Sequence, residues 1–250
     1  MCGRFSLTAT PEEVAELFDL DEVDPFPPRY NIAPTQPILM VGDGPAGKRK
    51  ATLVRWGLVP SWVKDPQDFT LLLNARSETA AEKPSFRAAM RHKRTLVPAS
   101  GFYEWHRPAD KSLPKQAWWI RPADGGIVCF GGLMETWSDA GGSEIDSGCI
   151  LTTQSNTQIG AIHHRMPVVI RPQDFDRWLD CRTQEPRDVA DLMKPVEDGF
   201  FETIAVSDKV NKVSNAGPDI QEPVKASKGI GPTVAKAAKP DSETDQFDLF

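Results

Sequence analysis

The sequence is short of the features that mark the commonest binding chemistries. No run approaches the roughly 20 apolar residues of a helical membrane span, so a transmembrane anchor is not expected. The first residues, MCGRFSLTAT, lack the basic and apolar stretches of a secretory signal, and a cytoplasmic, nucleoid- or replication-associated protein is expected. Positive charge is not in excess. The 29 Lys and Arg against 35 Asp and Glu give a net charge of −6, which argues against coating nucleic acid or a membrane by bulk charge but leaves room for a local basic groove. There is no GxGxxG, no GxxxxGK[ST] and no regular strand–helix alternation, which disfavours the nucleotide-binding folds. Cys2, Cys129, Cys149 and Cys181 form no CxxC pair, and the four histidines no HxxxH spacing, so no metal or cofactor is expected. In a reducing compartment the cysteines stay as thiols. A chain of 250 residues buries enough surface to fold without such staples.

Proline, by contrast, is plentiful, with 22 residues, and five of them fall in residues 24–37, which reads as an ordered but irregular loop. Thr10-Pro11-Glu12-Glu13 carries an N-cap, a proline at the first helical position and a capping-box glutamate. Short strands are predicted at 3–8, 38–41, 51–59, 71–73, 94–100, 101–106, 117–122, 126–133, 149–153, 167–170 and 200–206, and helices at 174–181 and 187–194. Helical turns are expected at 77–82 and 85–90 and near 155–160. This mixture implies an α+β fold: one compact domain with a curved, barrel-like, mostly antiparallel sheet and flanking helices. The domain is expected to run from residue 2 to 223. Residues 224–246 contain no aromatic side chain, and such a stretch cannot offset its ordering entropy, so a disordered tail is expected from 224 to 250. It ends in Gln246, Phe247, Asp248, Leu249 and Phe250, which resemble a sliding-clamp-binding peptide: a glutamine ahead of a small hydrophobic cluster.

Cys2 is the leading candidate for chemistry. If Met1 is removed, the chain starts with a 1,2-aminothiol. Its amine titrates near 7.7–8.0 and its thiol near about 8.5, so both are partly nucleophilic near neutral pH. The thiol can attack a carbonyl with the amine as base, or the amine can form a Schiff base with an aldehyde on which the thiol closes as a thiazolidine. Glu104, flanked by aromatics in GFYEWH, suits general acid–base work. Asn74 leaves an apolar strand, and His163 of His163-His164-Arg165 sits at a loop end, where functional side chains are commonly placed. The stretch 86–94 reads as a basic patch, Arg4, Arg55, Arg76 and Arg165 lie near the candidate chemistry, and an exposed Trp62 can stack on bases.

MCGR, YNIAPTQ, WGLVPSW, NARSET, LVPASGFYEW, ILTT and IHHRMPVVI, in this order, resemble the SOS response-associated peptidase (SRAP) family. The resemblance runs from Cys2 to about Pro223 and leaves the tail outside. It implies a covalent crosslink between Cys2 and the ring-opened aldehyde of an abasic site in single-stranded DNA, including single-strand/double-strand junctions. It further implies that Asn74 positions the Cys2 amine or the sugar, that Glu104 acts as acid or base in formation and reversal, and that His163 helps open the deoxyribose. Arg4, Arg76, Thr152 and Arg165 would hold phosphates, and a peptidase activity would expose Cys2 by self-cleavage. Two other readings stay open. An N-terminal-nucleophile glutamine amidotransferase also starts Cys-Gly, but its oxyanion hole calls for an Asn-Gly pair, and the chain has none. A non-covalent reader of modified DNA, or a clamp adaptor, would bind without Cys2. Deleting residues 246–250 is expected to abolish capture by the sliding clamp in a pull-down while crosslinking persists; clamp capture that survives the deletion refutes the tether.

Overall fold

The computed structural model of the chain describes residues 2–44, 47–108 and 114–226. Nearly all of the expected tail, with its 246–250 motif, lies outside the described residues. Two sheets organise the fold, with β1 (Phe5–Leu7), β2 (Arg29–Ile32), β7 (Gly101–His106), β8 (Gln116–Pro122) and β12 (Phe201–Val206) making the first, in the order β12-β8-β7-β1-β2 and antiparallel throughout. In the second sheet, β3 (Pro37–Asp43), β4 (Arg49–Trp56), β6 (Arg94–Ala99), β9 (Val128–Ser138) and β10 (Glu144–Gln154) pair in sequence β10-β4-β3-β6-β9, and β9 returns to β10 to close a ring. β5 (Asn74–Arg76) and β11 (Arg165–Pro167) extend β10 beyond the ring. The arrangement is the α+β, mostly antiparallel, barrel-like fold that the short strands imply.

A ring this small has no room for a large side chain from every strand. Met40 of β3 fills its interior, and it does so against two glycines. A Cβ at Gly132 would lie 2.6 Å from the Met40 methyl, and one at Gly148 would meet the Met40 sulfur closer still. Helix α1 (Pro11–Phe18) starts as its sequence predicts: the Glu13 N–H donates to Thr10 Oγ1, and the Glu13 carboxylate accepts from the Thr10 N–H. It buries Val14 and Phe18, and Phe18 stacks at 5.1 Å on Phe175 of α4 (Phe175–Leu179). No helix among the described residues is long and apolar enough to cross a membrane.

Five sequence expectations need correction. The proline-rich stretch contains a strand, β2, because its prolines flank residues 29–32 and leave the N–H groups of Tyr30 to Ile32 free for the ladder. The strand expected at 71–73 begins at Asn74, with Leu72 only bridging Leu58. The strand expected at 167–170 ends at Pro167, and residues 186–193 wind as a 3-10 helix. Arg94 does not belong to an exposed basic patch. It is buried, and its guanidinium donates to the carbonyls of Trp178, Met90, Asp180 and Gln184, pinning α4 and the following turn to β6.

The turn between β2 and β3 holds one strained residue. Thr35, exposed and β-branched, has φ 70°, in the left-handed region that costs an L-residue about 1–2 kcal/mol. Thr35→Gly is expected to raise the unfolding free energy by roughly 0.5–1 kcal/mol after glycine's own entropy cost is subtracted. Chemical denaturation checks this; a lower midpoint would show that the Thr35 side chain makes stabilising contacts of its own.

Candidate active site

The first sheet brings β1 and β7 side by side, pairing Phe5 with Phe102. The residues ahead of β1 therefore run along the strand that carries Glu104, and the Tyr103 N–H donates to the Arg4 carbonyl at 2.9 Å. Cys2 lies at this junction, fully buried, with its Sγ 3.8 Å from the Arg4 carbonyl. From the second sheet, β5 runs parallel to β10 and presents Asn74, whose Nδ2 donates to the Cys2 carbonyl at 2.9 Å. The other end of that amide, Oδ1, is buried and has no hydrogen-bond partner among the described residues. Glu104 on β7 is buried, and the next residue, Trp105, is turned towards the rim. His163 follows α3 (Thr157–Gly160), whose N-cap Asn156 accepts from the Ile159 N–H, and its Nδ1 lies 3.9 Å from Glu104 Oε1. Cys2, Asn74, Glu104 and His163 thus converge from four separate segments.

The electrostatics differ from those of an isolated aminothiol. Burial, reinforced by the negative charge of Glu104, pushes the Cys2 thiol far above its ordinary range, so it rests protonated. Burial lowers the pKa of His163, and the neighbouring Glu104 charge opposes this without cancelling it. The imidazole is therefore neutral at pH 7. Its Nδ1 lies 3.1 Å from both the N–H and the carbonyl of Arg165, which fixes the ring plane, while His164 stacks beside it at 4.4 Å.

The five expected DNA contacts separate into two groups. Trp62, at 57% exposure, and Arg76, at the end of β5, both face solvent. Trp62 packs edge-on against Phe69 at 5.7 Å and donates from its indole to the Pro84 carbonyl. Arg4, Thr152 and Arg165 are turned inward. Arg165 is buried and grips Glu78 through two hydrogen bonds of 2.6 and 2.9 Å, while a further N–H donates to the Thr152 carbonyl. That grip, chiefly through its hydrogen bonds, lowers the Glu78 pKa. Arg4 Nη1 donates to Asn31 Oδ1 at 2.7 Å and to the Val210 carbonyl at 2.8 Å. A cleft of about 360 Å³ opens over the acid, lined by Glu104, Trp105, Arg107, Lys115, His163 and Asn211. Asn31, Glu78 and Asn211 were not singled out from the sequence, where isolated polar residues in turns read as solvated.

The two sheets of this α+β fold thus gather a buried cysteine, an asparagine, a carboxylate and a histidine at one place. The profile of the SOS response associated peptidase (SRAP) family matches residues 1–213, and the chain belongs to that family. It is 36% identical over 226 residues to the abasic site processing protein YoqW of Bacillus subtilis (strain 168), covering 89% of this chain and 99% of that one. To the abasic site processing protein YedK of Escherichia coli (strain K12) it is 30% identical over 232 residues, covering 90% of this chain and all of YedK. A crystal structure of a Bacteroides thetaiotaomicron protein superposes with a TM-score of 0.78 at 25% identity, over 90% of this chain and all of the other.

Because Glu104 holds the His163 pKa up against burial, Glu104→Gln is expected to lower the His163 midpoint further below the ordinary histidine value of about 6.5. A pH titration of the imidazole by NMR checks this. A midpoint unchanged or raised in the variant would place the two groups out of electrostatic contact.

Proposed function

We propose that the chain processes abasic sites in single-stranded DNA, junctions included, by forming a thiazolidine at Cys2. The observation that carries this reading is the meeting of Asn74 with Cys2 and of His163 with Glu104, the last two lining one cleft, in a chain whose relatives are named abasic site processing proteins. Hydrolysis of the Met1–Cys2 bond, the peptidase step on this reading, frees the amine. Asn74 then holds the Cys2 carbonyl with Nδ2 and has its vacant Oδ1 to orient the new ammonium.

The protonation states order the chemistry. A buried, protonated thiol is a poor first nucleophile, so the amine attacks the ring-opened C1′ aldehyde. The carbinolamine loses water to give the imine, the Glu104 carboxylate relaying the nitrogen's proton to the departing hydroxyl. The thiol then adds to the imine carbon: the S–C bond forms, and its proton passes through the Glu104 carboxylate to the nitrogen. The sum is aldehyde plus aminothiol giving thiazolidine plus water. Reversal runs the same proton path backwards. Neutral His163, close to Glu104, suits the earlier step of moving a proton between the C1′ hydroxyl and the ring oxygen as the sugar opens. Trp62 and Arg76 offer an exposed stacking face and a charge to the strand, while Arg4, Thr152 and Arg165 shape the site from below.

Incubated with single-stranded DNA carrying one abasic site, the protein is expected to give an adduct that survives a denaturing gel. Cys2→Ala should abolish it. Cys2→Ser keeps the amine and should leave only an imine that borohydride traps. Glu104→Gln should slow adduct formation about 10²–10⁴-fold, the usual worth of a general acid–base group. A gel-stable adduct of undiminished yield in Cys2→Ala would refute the thiazolidine.

A further inference from the structure

Of the residues that line the cleft over Glu104, Asn211 has no part in the scheme above and is held in place by its neighbours. Asn211 is exposed and lines the same cleft as Glu104 and His163. Its side-chain orientation is fixed by chemistry. Trp105 Nε1 lies 2.8 Å from one end of the Asn211 amide. An indole can only donate, so that end is the carbonyl oxygen. The NH₂ is the opposite end, and no described residue accepts from it.

The backbone around Asn211 is fixed as well. Asn31, buried in β2, donates from Nδ2 to the carbonyls of Val210, Lys212 and Asn215 at 3.3, 3.2 and 2.7 Å. Its Oδ1 accepts from Arg4, which also donates to the Val210 carbonyl. The residues on both sides of Asn211 are thereby tied to the segment that leads out of Cys2. A donor held this way at a cleft mouth loses little freedom when a ligand arrives, which is the condition for a polar contact to favour binding or the transition state.

We infer that Asn211 is a substrate-contacting residue: its amide donates a hydrogen bond to an oxygen of the abasic nucleotide, on the opened sugar or a flanking phosphate. The inference rests on the thiazolidine reading and adds a recognition group to it. Losing a hydrogen bond to a charged or developing-charge oxygen should slow adduct formation roughly 10- to 100-fold in Asn211→Ala. Because the side chain is exposed, the melting temperature should stay at the wild-type value. Trp105→Phe removes the indole donor but leaves the amide in place, so it should cost less.

The test measures adduct formation rates for wild type, Asn211→Ala and Trp105→Phe with abasic single-stranded DNA, and thiazolidine formation by mass spectrometry with free 2-deoxyribose. A large loss in Asn211→Ala with a smaller one in Trp105→Phe supports the contact. If the deoxyribose reaction is slowed equally, the acceptor is on the sugar; if it is unaffected, the acceptor is a phosphate. An unchanged DNA rate in Asn211→Ala overturns the inference, and so does an equal loss in the two variants, since Asn211 would then serve only to hold Trp105. Absence of any wild-type adduct overturns the thiazolidine reading itself and is read from the same control lane.

Discussion

The hydrogen bond from Asn74 to the Cys2 carbonyl ties the two sheets together at the site, across the hydrophobic core that they share. Asn74 is placed by β5, and β5 is a three-residue strand that exists because β10 is long enough to pair with it after pairing with β4. Cys2 is placed by the register of β1 on β7, which in turn sets it beside Glu104. The site therefore depends on two long-range pairings agreeing at one point. Neither partner is held by its own neighbours in sequence, so an error in either register would separate Cys2 and Asn74 from Glu104.

Enclosure gives that junction its chemical character. In water, an aminothiol presents two competing nucleophiles of similar pKa. Here burial and the nearby carboxylate keep the thiol protonated, while burial keeps His163 neutral. A site built to use the thiolate first would do the opposite, placing a cation or a helix N-terminus against the sulfur. The same low-dielectric surroundings that suppress the thiolate also suppress stray oxidation and alkylation of Cys2. On the thiazolidine reading, reactivity then waits on an electrophile that the amine has already captured.

Much of this was legible in the sequence, and the failures have physical causes. The capping box at Thr10, the α+β class and the convergence candidates Cys2, Asn74, Glu104 and His163 could all be read from local chemistry or from the family's motifs. The strand inside the proline-rich stretch could not, because prolines at its flanks obscure four residues that pair perfectly well. Arginines were the least legible. Arg94 and Arg165 look like surface charge in a one-dimensional reading, yet both are buried, the first held by four carbonyls and the second by a carboxylate and a carbonyl. A guanidinium has five donors in a rigid fork, so it can organise backbone carbonyls from distant segments as readily as it can hold a phosphate. Sequence does not distinguish the two uses, because the acceptors come from elsewhere in the chain. Asn31 escaped notice for the same reason: its three carbonyl partners lie some 180 residues away.

On the thiazolidine reading, this distribution of arginine bears on how an acidic chain can hold DNA. Proteins that hold nucleic acid by charge neutralise many phosphates, and their affinity falls steeply with salt. With Arg94 and Arg165 committed to the interior and Arg4 largely so, the chain has fewer cations to spend on phosphates than its composition suggests. A net charge of −6 also disfavours undamaged DNA. Both facts weaken ordinary binding, and both are tolerable if retention comes from a covalent bond. What remains for the surface to supply is a brief, oriented encounter, for which an exposed tryptophan, an exposed arginine and a fixed amide at the cleft mouth are suited. On the thiazolidine reading, weak reversible binding becomes a source of selectivity: undamaged strands dissociate, and only a strand carrying an aldehyde stays.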